Sequence, residues 1–334
     1  MRELNTTLCF TGVVGQEKAA TLVSRTMLSG KLPHAYIFKG PDGVGKQLFG
    51  RGVAAALNCR GEDAGRACGV CSSCKKFISG NHPDFTVVRP DKGSIKIGQV
   101  REMCRSLSYP PYESDLRVVL LEDIHTMRPE AANSLLKTLE EPPPGNLLIL
   151  TAEASQEVLT TISSRCQVIP FYGLGGAECI SIIRQHKPDL DVETANVLAR
   201  LAEGSPGKAL LLEKYQMIGI LKNVIAVLSN PEIDQNRDVG KLLIAAEEMV
   251  DLKEHLIPFL GLLRLWLRDT LLVVTESTEH QGLYGFGLEP EKPMKSWSSK
   301  DLFAKLLAID KAEKELKRNC NRSLVCEVLL FHLH

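Results

Sequence analysis

The sequence predicts an α/β domain built on a parallel sheet and followed by all-helical segments. Three observations carry this. Short apolar runs alternate with helical patterns through the first half of the chain. A glycine-rich loop joins the first of those runs to a helix. After Phe171 the apolar runs stop, and almost every later segment has helical periodicity.

Taken in order, Ala35-Tyr36-Ile37-Phe38 reads as a strand that feeds the loop, and Lys46 to Asn58 as the helix after it. Phe85 to Val88, Arg117 to Leu121, Leu147 to Thr151 and Gln167 to Phe171 read as further strands, apolar enough on both faces to lie in a sheet covered by helices. Between them, Glu130 to Leu139 reads as a helix. Its Ala131, Leu135, Leu136 and Leu139 share a face that packs on the sheet, and Pro142-Pro143-Pro144 ends it. Asn133 and Lys137 lie off that face, open to DNA, to a neighbouring subunit or to solvent. Gly173 to Gly176 reads as a hinge, Gly204-Ser205-Pro206-Gly207 as a turn between helices, and Leu211 to Tyr215 as a second change of composition. Asn230 to Asp238 and Thr275 to Ser299 read as polar loops.

Composition bounds the function. The chain has 334 residues, room for two or three domains, with 44% hydrophobic and 24% charged residues. Forty basic residues balance forty acidic ones, so no global positive field draws the whole chain onto nucleic acid. The most apolar stretch, Leu256 to Val274, contains Arg264, Arg268 and Asp269, which argues for a buried amphipathic helix and against a membrane span. Met1 to Phe10 is polar and lacks the core of a signal peptide, so a cytoplasmic protein is expected.

Gly40-Pro41-Asp42-Gly43-Val44-Gly45-Lys46-Gln47 matches the phosphate-binding pattern of Gly, four residues, Gly-Lys and Ser/Thr at every place but the last. The backbone around Gly40, Gly43 and Gly45, with Lys46, suits the phosphates of ATP. Gln47 replaces the hydroxyl that would ligate Mg²⁺. The strand from Arg117 ends in Glu122-Asp123, where nucleotide hydrolases place a metal-binding Asp and a water-activating Glu in the reverse order. Both departures predict a loop that can hold nucleotide but is poorly equipped to hydrolyse it. The alternative for the acidic pair is a plain strand-to-helix boundary.

Cys59, Cys68, Cys71 and Cys74 follow C-x8-C-x2-C-x2-C, a spacing that closes a tetrahedral thiolate shell around Zn²⁺. With no nearby ligating His and no open position, a structural site is expected in an insert spanning 59–74. A catalytic or redox role, or direct reading of DNA, is the lesser alternative. Cys9, Cys104, Cys166, Cys179, Cys320 and Cys326 are expected to be packing residues. Ser164-Arg165-Cys166 lies between the fourth and fifth strands. A lone Arg is usually a surface residue; here it also reads as an arginine finger offered to a neighbouring subunit's nucleotide.

These features resemble the clamp-loader branch of the AAA+ proteins, and within it the delta-prime type of bacterial DNA polymerase III. The resemblance rests on Val14-Gly15-Gln16, His34-Ala35-Tyr36, the four-Cys insert, His82-Pro83-Asp84, the run Asn133 to Pro143, Ser164-Arg165-Cys166, Gly204 to Leu210, and Asn321-Arg322-Ser323-Leu324 with Glu327. It is thin between Leu212 and Lys311.

The resemblance implies an AAA+ α/β domain over 1–171, a small helical lid over 172–213 and a helical collar over 214–334. It implies a hetero-pentamer with motor ATPase subunits and delta, which loads a sliding clamp on primer-template DNA, and no membrane partner. It implies a chain that does not hydrolyse ATP and supplies Arg165 in trans. Motor subunits carry an Arg in the lid motif Gly-Ser-x-Arg-x-Ala-Leu, where this chain has Gly207, followed by Lys208. An active motor ATPase that tolerates Gln47, and a zinc-dependent nucleic-acid-binding module on a relict ATPase fold, are the competing readings.

Overall fold

The computed structural model describes residues 9–61, 66–91, 93–154, 158–229, 239–275 and 297–334. The expected loops at 230–238 and 275–299 fall almost wholly outside these residues. Five strands form one all-parallel sheet: β1 (Ala35–Gly40), β2 (Phe85–Val88), β3 (Arg117–Leu121), β4 (Asn146–Glu153) and β5 (Gln167–Pro170), in the order β2-β3-β4-β1-β5. Around them lie α1 (Glu17–Leu28), α2 (Lys46–Leu57), α3 (Ser72–Ser79), α4 (Ile97–Leu107), α5 (Pro129–Glu140) and α6 (Thr160–Ser163). The later helices are α7 (Gly176–His186), α8 (Val192–Leu201), α9 (Pro206–Lys214), α10 (Met217–Leu228), α11 (Val239–Val250), α12 (Leu256–Val274), α13 (Ser299–Lys317) and α14 (Arg322–Leu333). The chain divides into two compact units, one running to Ile182 and including Gly204–Gly207, the other holding Ile183–Glu203 and the residues from Lys208.

In the first unit, strand alternation sorts the core into two layers. Ile37, Val119, Leu121, Leu148 and Leu150 face one side, where Val100, Met103 and Leu107 of α4 and Ala131, Leu135 and Leu139 of α5 meet them. Phe38, Val118, Leu120, Leu147 and Ile149 face the other, against Ala19 and Val23 of α1 and Phe49 and Val53 of α2. Phe49 stands edge-on to Phe38 (5.4 Å), Phe171 (5.2 Å) and Phe10 (5.2 Å), which fixes α2 against β1. Pro129 opens α5, where its missing N–H is harmless. Of the expected stripe Ala131, Leu135 and Leu139 are buried and Leu136 partly so; Ala132 is buried as well, whereas Asn133 and Lys137 are exposed.

The second unit is helical throughout its described residues. α12 is the expected amphipathic helix, burying Phe259, Leu262, Leu263, Trp266 and Leu267. Among the described residues no helix is long and apolar enough to cross a membrane. Asp191, Ser298 and Asn321 cap α8, α13 and α14 through side-chain oxygens, each worth about 1 kcal/mol. Cys179 and Cys326 are buried, and Cys104 and Cys166 pack partly on the sheet's core, as packing residues should. Cys320 is exposed and does not fit that expectation.

Lys305 of α13 is buried, lies 4.1 Å from the centre of the Trp297 ring and donates to the Leu333 carbonyl at the end of α14. Burial lowers its pKa from 10.5 to about 8. Between those values the unfolded chain binds more protons than the folded one, so stability from this group rises with pH. Denaturant unfolding at pH 7.5 and pH 10 should show the native chain gaining stability relative to Lys305→Met. A difference that does not change with pH would refute the assignment.

Candidate functional site

Because all five strands run the same way, their carboxyl ends meet at one end of the sheet, and β1 lies there between β4 and β5. Chain segments leaving β1 and β4 diverge at such a switch point, which is where α/β folds bind ligands. The loop Gly40 to Gln47 sits here. Gly45 has a φ of 96°, a left-handed conformation glycine adopts freely, and directly precedes α2. Lys46 and Gln47 are the first two residues of α2, so the loop has the geometry of a phosphate cradle.

The cradle's groups are engaged with one another. Lys46 is buried, and its Nζ donates to the carbonyls of Gly40 (2.9 Å) and Pro41 (2.6 Å). Burial lowers its pKa, opposed by the charges of Asp42, Asp123 and Glu153. Ser205 Oγ donates to the Asp42 carbonyl at 2.7 Å, and the Gly207 N–H to the Gly43 carbonyl at 3.0 Å. A Cβ on Gly207 would lie 2.7 Å from Gly43 Cα and 2.9 Å from its carbonyl oxygen, both backbone atoms of the loop. A side chain at 207 is therefore incompatible with this contact.

The acidic pair separates. Glu122 accepts from Arg89 Nε at 2.9 Å. Burial raises its pKa while Arg89 and Arg51 pull it back, and its other oxygen, Oε1, is buried without a hydrogen-bond partner among the described residues. Asp123 takes a left-handed φ of 55° and its N–H donates to Thr151 Oγ1 at 3.0 Å. Burial and the neighbouring Asp42 raise its pKa, partly offset by His125 and Lys46. The structure thus brings Gly40, Gly43, Gly45, Lys46, Gln47 and Asp123 to one end of the sheet and turns Glu122 to Arg89. Sequence reading missed Arg89 and Glu153, which belong to no local motif, and named Ser205 and Thr151 only as parts of a turn and a strand.

Arg165 lies elsewhere. It follows α6 and precedes β5, at the amino end of the strands. Gln167 is in register with Tyr36, and Gly40 is four residues further along β1, so the loop lies about 13 Å or more beyond it. The guanidinium bonds to Glu140 Oε1 (2.7 Å), the Thr161 carbonyl (2.9 Å) and Ser164 Oγ (3.3 Å), and its side chain is 35% exposed.

The four cysteines lie together at the end of α2 and the start of α3, their sulfurs within 4.8 Å of one another. Cys74 Sγ is 3.7 Å from Cys59 Sγ and 3.9 Å from Cys68 Sγ. A tetrahedral Zn²⁺ with bonds of about 2.3 Å needs sulfur separations of about 3.8 Å, so the donor set and its spacing fit this ion. Backbone N–H groups of Gly61 and Cys68 point at Cys59 Sγ, that of Cys71 at Cys68 Sγ, and that of Cys74 at Cys71 Sγ. Burial, Cys71 and Cys59 push the Cys74 thiol up to about 12, whereas Cys71, against the burial that raises it, is drawn to about 6 by such N–H donors. A divalent cation resolves that conflict by favouring thiolate at every position. The insert is tied to the sheet through His82, which bonds Ser73 (3.1 Å) and stacks on Phe77 (4.3 Å). Next to it Asp84, fully buried, accepts the backbone N–H groups of Tyr112, Glu113 and Ser114.

A family model described as "DNA polymerase III, delta subunit" matches residues 15–174. A DNA polymerase III subunit delta' of Pseudomonas aeruginosa is 32% identical over 311 residues, covering 89% of this chain and 90% of that protein. The subunit of the same name in Bacillus subtilis is 37% identical over 159 residues, 48% of each chain. DNA polymerase III subunit tau of Escherichia coli is 34% identical over 211 residues, 61% of this chain and 32% of that one. A parallel α/β sheet with a phosphate-loop turn at its switch point and a helical second unit defines an AAA+-type protein. The chain belongs to the clamp-loader family of DNA polymerase III subunits, with its likeness running to delta prime.

Two expectations follow. Gly207→Ala should destabilise the first unit by about 1–3 kcal/mol, because the loop backbone must shift to admit a methyl group. Thermal unfolding unchanged from the native chain would show that the contact with Gly43 is not held in solution. The purified chain should carry about one zinc per molecule, from the four-thiolate set. Cys71→Ser should release it and lower the unfolding temperature; metal content unaffected by that change would exclude the site.

Proposed function

We propose that this chain is a delta-prime-type clamp-loader subunit that does not hydrolyse ATP and supplies Arg165 to the nucleotide of a neighbouring motor subunit. Its assembly is a hetero-pentamer with motor ATPase subunits and delta. Through that complex it acts on the sliding clamp and primer-template DNA in replication, in the cytoplasm. In the same reading, 1–171 is the AAA+ domain, 172–213 the lid and 214–334 the oligomerising collar, and the zinc is structural.

The observation that carries the reading is the placement of Arg165 about 13 Å or more along the sheet from its own phosphate loop. An arginine side chain does not span that distance, so a phosphate held in this chain's own loop is out of its reach, as the reading in trans requires. The loop itself supports the same view. Lys46 is satisfied by Gly40 and Pro41, Gly207 occupies the Gly43 carbonyl, and Glu122 is paired with Arg89. The surviving cradle and the likeness to tau keep one competitor in play, an active motor ATPase.

Purified alone, the chain should turn over negligible ATP, with or without DNA. In a loader reconstituted with its motor subunits, Arg165→Ala should reduce turnover at the site it serves by roughly 10²-fold or more, and clamp loading with it, while the complex still assembles. Unchanged ATPase in that complex removes the finger role. Robust turnover by the isolated chain, abolished by Lys46→Ala, would instead establish the motor reading.

A further inference from the structure

We propose that Glu140 is a positioning residue for Arg165, holding the guanidinium with one edge free to meet a phosphate. The inference rests on the finger reading above and names the residue through which this chain would prepare that finger.

The contact joins two elements far apart in sequence. Glu140 is the last residue of α5, and Arg165 follows α6. Both helices are fixed by the same core layer: Leu135 and Leu139 of α5 and Ile162 of α6 are buried in it, and Cys166, next to Arg165, packs against it. The backbone N–H of Arg165 donates to the Ile162 carbonyl at 3.1 Å, which sets the base of the side chain. From that base the guanidinium reaches the Thr161 carbonyl and Ser164 Oγ through Nη1, and Glu140 Oε1 through Nη2.

A guanidinium has five N–H donors. These contacts engage Nη1 twice and Nη2 once. A single acceptor on Nη2 leaves one of its two hydrogens, and the neighbouring Nε–H has no partner among the described residues. Paired, parallel donors of this kind suit a phosphate bidentately. Glu140 and a phosphate can therefore hold Arg165 at once, on different edges. The cation also lies at the carboxyl end of α5, where the helix dipole favours positive charge. An arginine side chain loses considerable rotamer freedom when fixed; restricting it before the partner arrives removes part of that loss from the step in which the phosphate is engaged.

The pair is half-exposed, with side-chain exposures of 35% and 50%, so its effect is modest. In the reconstituted loader, Glu140→Ala should lower kcat for ATP about 1.5- to fivefold with KM little changed, the range expected of an exposed pair. Glu140→Gln, which keeps an acceptor oxygen for Nη2, should fall between Ala and the native residue. Placed on Arg165→Ala, Glu140→Ala should have no further effect, because it acts only through the guanidinium.

Circular dichroism and assembly of the complex, measured first, establish that each variant folds; the near-isosteric Gln variant keeps the test open if Ala does not. Native kcat in Glu140→Ala beside an impaired Arg165→Ala overturns the positioning role and leaves the finger intact. An equal loss in both backgrounds shows that Glu140 acts elsewhere, and a raised kcat shows that it restrains the arginine. Native ATPase in Arg165→Ala overturns the finger reading and this proposal together.

Discussion

The parallel register of β1 with β4 and β5 is the constraint on which the functional geometry depends. Ile37 pairs at once with Leu150 and Val168, and its side chain is buried. A slip of one residue in β1 would turn its whole set of side chains to the wrong layer. Burial of Ile37 and Phe38 on opposite faces, each worth roughly 1.5–3 kcal/mol, forbids it. The same register sets the two ends of the sheet. It places Gly40 to Lys46 at the carboxyl end of β1 and Arg165 at the amino end of β5, about 13 Å or more apart along the sheet.

At the carboxyl end, the parts of a nucleotide site have found partners within the chain. An ammonium in a phosphate loop would face phosphate oxygens; here it faces two peptide carbonyls. A carboxylate that would face Mg²⁺ faces Arg89. Glycine at 207 lets the 204–207 segment approach the loop to hydrogen-bond distance, which an arginine at that position could not do without moving Gly43. Gln47, Glu122-Asp123 and Gly207 are far apart in sequence, and Gln47, Asp123 and Gly207 come to the same end of the sheet.

Much of this was legible in the sequence. Strands apolar on both faces, a glycine loop between strand and helix, and a C-x8-C-x2-C-x2-C spacing are local signals, and each found its place. Their boundaries moved by a residue or two, as when β4 extended to Asn146–Glu153. The partnerships were not legible, because each joins residues far apart in the chain: Arg89 with Glu122, Ser205 with Asp42, Glu140 with Arg165. Nothing in the spacing of Glu140, one of many acids in the chain, distinguishes it before the fold brings α5 and α6 together. Ala132 shows the same limit on a smaller scale. It is buried because α5 is covered more widely than its leucine stripe implies.

Asp84 and Arg165 are held by different kinds of contact. Asp84 is fully buried and accepts three backbone N–H groups, with Arg117 3.6 Å away. Those bonds outweigh burial and hold its pKa below the usual carboxylate range. Such a carboxylate is satisfied within the chain and has nothing left to offer a partner; it locks the loop after α4 beside His82, the anchor of the four-cysteine insert. Arg165 could not work that way. A guanidinium with all five donors satisfied internally would have to break bonds before it could stabilise charge elsewhere. One left wholly free would have to give up its full rotamer freedom on contact. In the proposed finger reading, holding the guanidinium through Glu140 while its Nε–H stays unpartnered would be the compromise between these costs.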